Sequence, residues 1–154
     1  MRDVEDLGAV ARGIIDVNRY MALGTADETG RPWVSPVYFA PNGYRELYWL
    51  SSPDAQHSRN VAVRPDVFAA VFNSQVPIGQ GQAVYMTATA AELTGEELER
   101  GIEIFSSMSQ SHGAKAWSLE DVRAAGLRLF RAVVSEHWVL DPAERPDRRT
   151  RVNP

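Results

Sequence analysis

The chain has 154 residues, 44% of them hydrophobic and 23% charged, with a formal net charge of -4. That is enough for one domain with a substantial core, and it gives no global electrostatic reason to expect nucleic acid or an anionic membrane. Cysteine is absent, which excludes disulfides, thiolate nucleophiles and cysteine metal sites. The acidic N-terminus does not resemble a signal peptide, no segment approaches the roughly 18 apolar residues of a membrane span, and a cytoplasmic protein is expected.

Residues 3 to 17 place Val4, Leu7, Val10, Ala11, Ile14 and Ile15 at helical spacing. The period then changes. "RYMALGTAD" alternates, "ETGRP" turns, and "WVSPVYFA" alternates again, which makes a hairpin. "PNGY" is a second turn, with Asn42-Gly43 suited to positive φ, and "RELYWLS" is a third strand. Ser52 is placed to cap a helix that has Pro53 in its first turn, runs to about Val63 and stops at "RPD". "VFAAVFNS" reads as a fourth strand buried on both faces. "QVPIGQGQ" is a loop, and "AVYMTATAAEL" a long fifth strand. Thr94 and Glu97 form a capping-box pattern before a helix with Leu98, Ile102, Phe105 and Met108 on its core stripe. Ser118 and Asp121 start a further short helix, and "LRLFRAVVSEHWVLD" is a sixth strand, long enough to bend. The end, "DPAERPDRRTRVNP", holds Arg145, Arg148, Arg149 and Arg151 with few apolar residues. It reads as a basic, flexible tail over residues 142–154, after a domain of residues 1–141. Six strands, mostly in hairpins, with short helices inserted late, argue for a small antiparallel barrel of the mainly β (α+β) class.

The chemistry is narrowed first by what is missing. There is no dinucleotide fingerprint, no phosphate-loop lysine motif and no G-x-S-x-G elbow. His57, His112 and His137 are too scattered for a metal helix, so no metal site is expected. No residue stands out as a catalytic acid, base or nucleophile. "WLSSPDAQHSRNV" is the informative stretch: a strand-to-helix junction carrying Ser51, Ser52, His57, Ser58 and Arg59. A helix start offers unpaired amides and a partial positive charge, and these side chains add donors. The junction is either a well-capped surface helix or an anion site. Pro36, in the middle of "WVSPVYF", belongs on an edge strand, a bulge or a backbone facing a ligand, with Ser35 and Trp33 beside it.

The ordered set "MALGTAD", "RPWVSPVYFA", "ELYWLSSPDAQHSRNVAVRPDVFAAVF" and "SQVPIGQGQAVYMTATAAEL" resembles the pyridoxamine 5′-phosphate oxidase-like, FMN-binding split-barrel family over about residues 8 to 141. The resemblance implies a six-stranded antiparallel split β-barrel with short peripheral helices. It implies a homodimer with flavin between the subunits, and a flavin-dependent oxidoreductase passing hydride or electrons to a small organic acceptor. Val34, Ser35 and Pro36 would lie along the isoalloxazine. Ser51 and Ser52 would approach the ribityl-phosphate, with His57, Ser58 and Arg59 completing the phosphate site. Asn60 would secure the junction, Gln75 and Gln82 would reach the flavin from the facing side, and Trp138 would contribute from the partner subunit. Many relatives have lysine where this chain has His57, so binding of a phosphate is expected to weaken as pH rises. The same departure leaves room for a deazaflavin coenzyme. The arginine-rich C-terminal motif that holds substrate in true pyridoxamine phosphate oxidases is not reproduced, which argues against a vitamin B6 enzyme. A flavin-binding protein without turnover, a haem-binding barrel using His57, His112 or His137, and a ligand-free interaction module are the alternatives.

Overall fold

The periodicities resolve, in a computed structural model that describes residues 3–143 and 147–154, into eight strands and four helices among the described residues. Helix α1, Val4–Val17, starts at Asp3, whose carboxylate accepts from the Asp6 amide at 2.8 Å, and its apolar stripe buries Leu7, Ala11, Ile14 and Ile15. β1 (Tyr20–Ala26) and β2 (Pro32–Tyr38) form the expected hairpin, followed by β3 (Ala40–Asn42), β4 (Glu46–Ser51) and α2 (Gln56–Val63). β5 (Asp66–Phe72) and β6 (Ala83–Glu92) form a second hairpin. Then come α3 (Gly95–Ser111), α4 (Leu119–Ala124), β7 (Arg128–Leu140) and β8 (Arg149–Val152).

The strands make one antiparallel sheet in the order β2-β1-β5-β6-β7-β4-β3, with β8 also on β7. β7 pairs with β6 along most of its length and divides its other edge in two. Residues 128–133 pair with β4, and 137–140 pair with β8. Between these halves the β6–β7 register shifts, so that Ser135 is left without a partner position. Its hydroxyl bonds the Thr87 side chain and backbone at 2.8 and 3.1 Å, which holds the bulge and bends the sheet. The curled sheet is the split barrel, with Met21, Leu23, Trp49, Val71, Val84 and Met86 in its core. A second cluster, centred on Tyr48, Leu93, Phe105 and Leu129, joins α3 and α4 to the back of β4 and β7. Gly101 permits that packing. A Cβ there would stand 2.8 Å from Leu93 Cδ1 and 2.9 Å from Leu129 Cδ2.

Several expectations are corrected. The strand count is eight among the described residues, because β3 is too short, and β8 too short and too polar, to show a period. Part of the tail is ordered: of 142–154, residues 149–152 pair with β7, Val152 is buried, Arg149 lies over the Tyr85 ring at 3.9 Å, and Arg151 meets Glu136 at 3.5 Å. The Arg149 guanidinium covers the Tyr85 ring, a contact that composition alone reads as solvated. Residues 144–146, Arg145 among them, lie outside the described residues. β5 is not buried on both faces: Val67, Ala69 and Val71 face the core, while Phe68 and Phe72 are 37% and 50% exposed. Ser52 does not cap α2. Its Oγ accepts from the Asp54 amide and its carbonyl from the Ala55 amide, a turn through Pro53 that delays the helix to Gln56. Thr94 occupies the N-cap of α3 without a side-chain bond; Gly95, at φ 60°, turns the chain, and Glu97 instead meets Arg131 at 3.4 Å. The Ser118–Asp121 capping box forms as expected.

Candidate functional site

Helix α2 lies between the β1–β2 hairpin and the end of β4, and three polar ties hold it there. Asn60, 1% exposed, donates from Nδ2 to Thr25 Oγ1 at 3.0 Å and accepts from Gln56 Nε2 at 2.7 Å. His57 meets Ser35 Oγ on β2 through Nδ1 at 3.1 Å and Ser51 Oγ on β4 through Nε2 at 2.7 Å. One imidazole therefore spans the two strands on either side of the helix. Trp33 Nε1 donates to the same Ser35 Oγ at 3.1 Å, extending the chain to Trp33–Ser35–His57–Ser51.

Burial holds His57 below the usual imidazole range. A neutral ring donates through one nitrogen and accepts through the other. One serine hydroxyl then donates to the ring, and the other is left to donate elsewhere. A protonated ring donates to both, because each serine oxygen can accept. Both hydroxyls are then released as donors, and a positive charge stands behind them. This arrangement suits an anion or a polar ligand edge, and it suits the anion better at lower pH.

The expected site residues separate into groups. Ser35, Ser51 and His57 come together as described. Val34 and Pro36 alternate to the opposite face of β2, which is an edge strand as the proline requires. Ser52 stays close through the turn, and Ser58 Oγ donates to the Ser52 carbonyl at 2.7 Å, so this hydroxyl is committed to holding the junction. Arg59 lies two residues from His57, about 200° around the helix. It bonds Gln56 Oε1 at 2.7 Å and lines a separate groove with Pro53, Ser58, Glu92 and Phe130. Asn60 secures the junction from its buried side. Gln75 is exposed in the β5–β6 loop, and Gln82 lines a groove beside Val17 at the end of α1 and Asn18 after it. Within one chain neither is bonded to the Ser35–His57–Ser51 group. Trp138 lies on the outer face of the sheet, stacked on Phe68 at 6.5 Å and paired in register with Tyr85.

That outer face was not legible as a unit. The register puts Tyr20, Val34, Phe68, Phe72, Tyr85 and Trp138 on one side of β2, β1, β5, β6 and β7. Tyr20 and Val34 are 63% and 66% exposed. Gly24, between Val34 and Phe68 in the register, lets β1 and β5 approach; its Cβ would stand 3.1 Å from the Phe68 carbonyl oxygen. Thr25 and Gln56 were missed in the sequence. Thr25 had a signal, since it is a hydroxyl on the inward face beside Met21 and Leu23.

The other histidines are also engaged. His137, 3% exposed, donates from Nε2 to the Tyr44 carbonyl at 2.7 Å, and His112 Nδ1 pairs with the Tyr38 hydroxyl at 2.7 Å. No helix among the described residues is long and apolar enough to cross a membrane.

Comparison with known proteins agrees with this architecture. A haem-binding protein from Mycobacterium smegmatis superposes with a TM-score of 0.73 at 18% identity, covering 99% of this chain and 59% of that one. The chain thus spans about three-fifths of the mycobacterial protein. A FAD-binding protein from Mesorhizobium loti gives 0.63 at 22% identity, with 85% and 91% covered, and an F420 reductase gives 0.61 at 15%, with 82% and 94% covered. At these identities the likeness is one of fold. No match was found among curated proteins. The sequence profile of the pyridoxamine 5′-phosphate oxidase family matches residues 8–140, a span that takes in the β1–β2 hairpin, the α2 junction and all of β7. The chain belongs to the pyridoxamine 5′-phosphate oxidase family.

Proposed function

We propose that the chain is an FMN-binding oxidoreductase that works as a homodimer and passes hydride or electrons to a small organic acceptor. The observation that carries this reading is the imidazole of His57, bonded to β2 through Ser35 and to β4 through Ser51. It puts switchable hydroxyl donors beside an edge strand whose backbone is open. A phosphorylated flavin fits that donor set: Ser51, Ser35 and His57 would hold the phosphate, and the β2 edge from Val34 to Pro36 would offer backbone groups to the ring system. When bound, a flavin supplies the hydride chemistry. The chain's own part is to orient the group, keep water from it and tune its hydrogen bonding. The exposed aromatic face would be covered by the second copy, which would bring Gln75, Gln82 and Trp138 to the flavin from the other subunit. The FAD-binding and F420-reductase relatives support a flavin-type ligand in this fold.

Titration with FMN, riboflavin and the deazaflavin coenzyme, followed by fluorescence, tests the reading. Tight FMN and weak riboflavin binding, with FMN affinity reduced about 5- to 100-fold in His57→Ala, is the expected result. Preference for the deazaflavin would change the coenzyme and keep the site. Binding of none of the three overturns the reading.

A haem-binding function is the second reading. It is supported by the mycobacterial relative and by His112, a half-buried residue whose Nε2 has no hydrogen-bond partner among the described residues. A Soret band in the protein mixed with haem, lost in His112→Ala, would favour it over the flavin.

A further inference from the structure

The back of the barrel carries a cavity with no α2 residue in its lining. Between α3, α4 and the start of β7 lies an open cavity of about 440 Å³. Its walls are aliphatic: Leu93, Leu98, Leu119, Val122, Leu127 and Leu129. Val122, Leu93 and Leu129 are buried, whereas Leu98, Leu119 and Leu127 are half-buried against the second core cluster and line the cavity. The short helix α4 stands on its capping box, held by Ser118 and Asp121, so the cavity persists as a gap between elements with their own supports.

The rim is cationic. Arg123 closes α4 and Arg128 opens β7, two exposed guanidinium groups at one mouth. Glu92 is the acid among the lining residues; it reaches Arg128 at 4.0 Å, with both side chains nearly half exposed. An ion pair of that length and exposure is weak, and a ligand carboxylate can replace it. Arg123 has no ion pair among the described residues. The volume falls in the range of about 300–1,000 Å³ that small-molecule sites occupy. An apolar cavity open to a cationic rim wants an alkyl chain ended by a carboxylate. The arginines would bind the head bidentately, and the leucines would take the tail out of water.

We propose that the α3–α4–β7 cavity is a binding site for a medium-chain aliphatic carboxylate, with Arg123 and Arg128 on the head group and Leu98, Leu119, Val122 and Leu127 on the chain. The site is independent of the flavin reading.

The test is a titration of the full chain, with and without FMN, using hexanoate, octanoate and octanol, followed by calorimetry and by amide chemical shifts. Octanoate should shift the amides of residues 119–129 and leave Ser35 and Ser51 unmoved. Each methylene buried should strengthen binding about fourfold, so hexanoate should be up to about sixteenfold weaker than octanoate. The double variant Arg123→Gln/Arg128→Gln should weaken octanoate at least tenfold and leave octanol unchanged. Because both arginines are exposed, the variant should retain the parent melting temperature. Octanol binding as tightly as octanoate, octanoate unaffected by the double variant, shifts confined to the aromatic face around Phe68, or no binding at millimolar octanoate would each overturn the proposal.

Discussion

Replacing Thr25 with valine removes one oxygen and keeps the shape of the side chain. That oxygen is the acceptor for Asn60 Nδ2 at 3.0 Å, inside a region where Asn60 is 1% and Thr25 6% exposed. It also donates weakly to the Trp33 carbonyl at 3.4 Å. Valine leaves the Asn60 amide buried without its acceptor, and a stranded buried donor costs about 1–3 kcal/mol. For a chain of this size each kcal/mol moves the melting temperature by about 2–4 °C, so Thr25→Val should melt about 4–8 °C lower for a mid-range cost. The bond joins α2 to β1, so the loss should also loosen His57 and reduce affinity for the proposed flavin without touching a ligand contact. The partner variant Asn60→Leu removes the stranded donor. The double variant Thr25→Val/Asn60→Leu should be less destabilised than the sum of the singles by about 1 kcal/mol or more. Urea denaturation monitored by circular dichroism measures all three. A Thr25→Val protein within about 0.5 kcal/mol of the parent, or strictly additive singles, would refute the argument that this bond anchors the helix.

Three further outcomes are expected. Burial lowers the pKa of His57, His112 and His137 below 6.5, so the unfolded chain takes up their protons first as pH falls. Stability should be level above about pH 7 and decline below about pH 6.5, with each histidine contributing at most about 1.4 kcal/mol per pH unit; urea midpoints between pH 7.5 and 5 test this. Gly101→Ala should destabilise by about 1 kcal/mol. The new methyl crowds Leu93 and Leu129, overpacking costs about 1–3 kcal/mol, and helix propensity returns about 1 kcal/mol; calorimetry decides the sign. Phe68→Glu should convert the proposed dimer to a monomer in size-exclusion chromatography, because it places a charge at the centre of the exposed aromatic face.

What the sequence revealed follows the length scale of each signal. Strands such as β1 and β6 show their period over seven to ten residues, and the order of hairpins was enough to expect an antiparallel barrel. β3, with three residues, has no room for a period, and β8 hides four residues of strand inside a run of arginines. Capping was legible where side-chain chemistry alone decides it, at Ser118 and Asp121. It failed at Ser52, where the turn through Pro53 spends the hydroxyl on the Asp54 amide ahead of the helix, and at Thr94, where Gly95 turns the chain and the hydroxyl caps nothing. The site was legible as a list and not as an arrangement. Helical geometry, invisible to a count of donors, places His57 and Arg59 on different sides of α2.

β5 shows how an expectation can miss the monomer and still carry information. Its unbroken apolar run reads as a strand buried on both faces, yet Phe68 and Phe72 point outward. A solitary exposed aromatic needs no explanation, but these align in register with Tyr20, Val34, Tyr85 and Trp138 across five strands. A sheet that presents such a face to water has the residue pattern of a sheet buried on both sides. The proposed dimer supplies the second layer. The same face holds Val34 and Pro36, while Ser35 turns to His57 on the other side of the strand. Whatever covers the aromatic face must therefore also lie against the edge proposed to meet the flavin, which couples subunit assembly to cofactor binding. Phe68→Glu should accordingly lower FMN affinity at protein concentrations where the parent is dimeric, although Phe68 makes no contact with Ser35, His57 or Ser51. If that variant is monomeric and binds FMN as tightly as the parent, each chain holds the flavin alone and the shared-site arrangement is wrong.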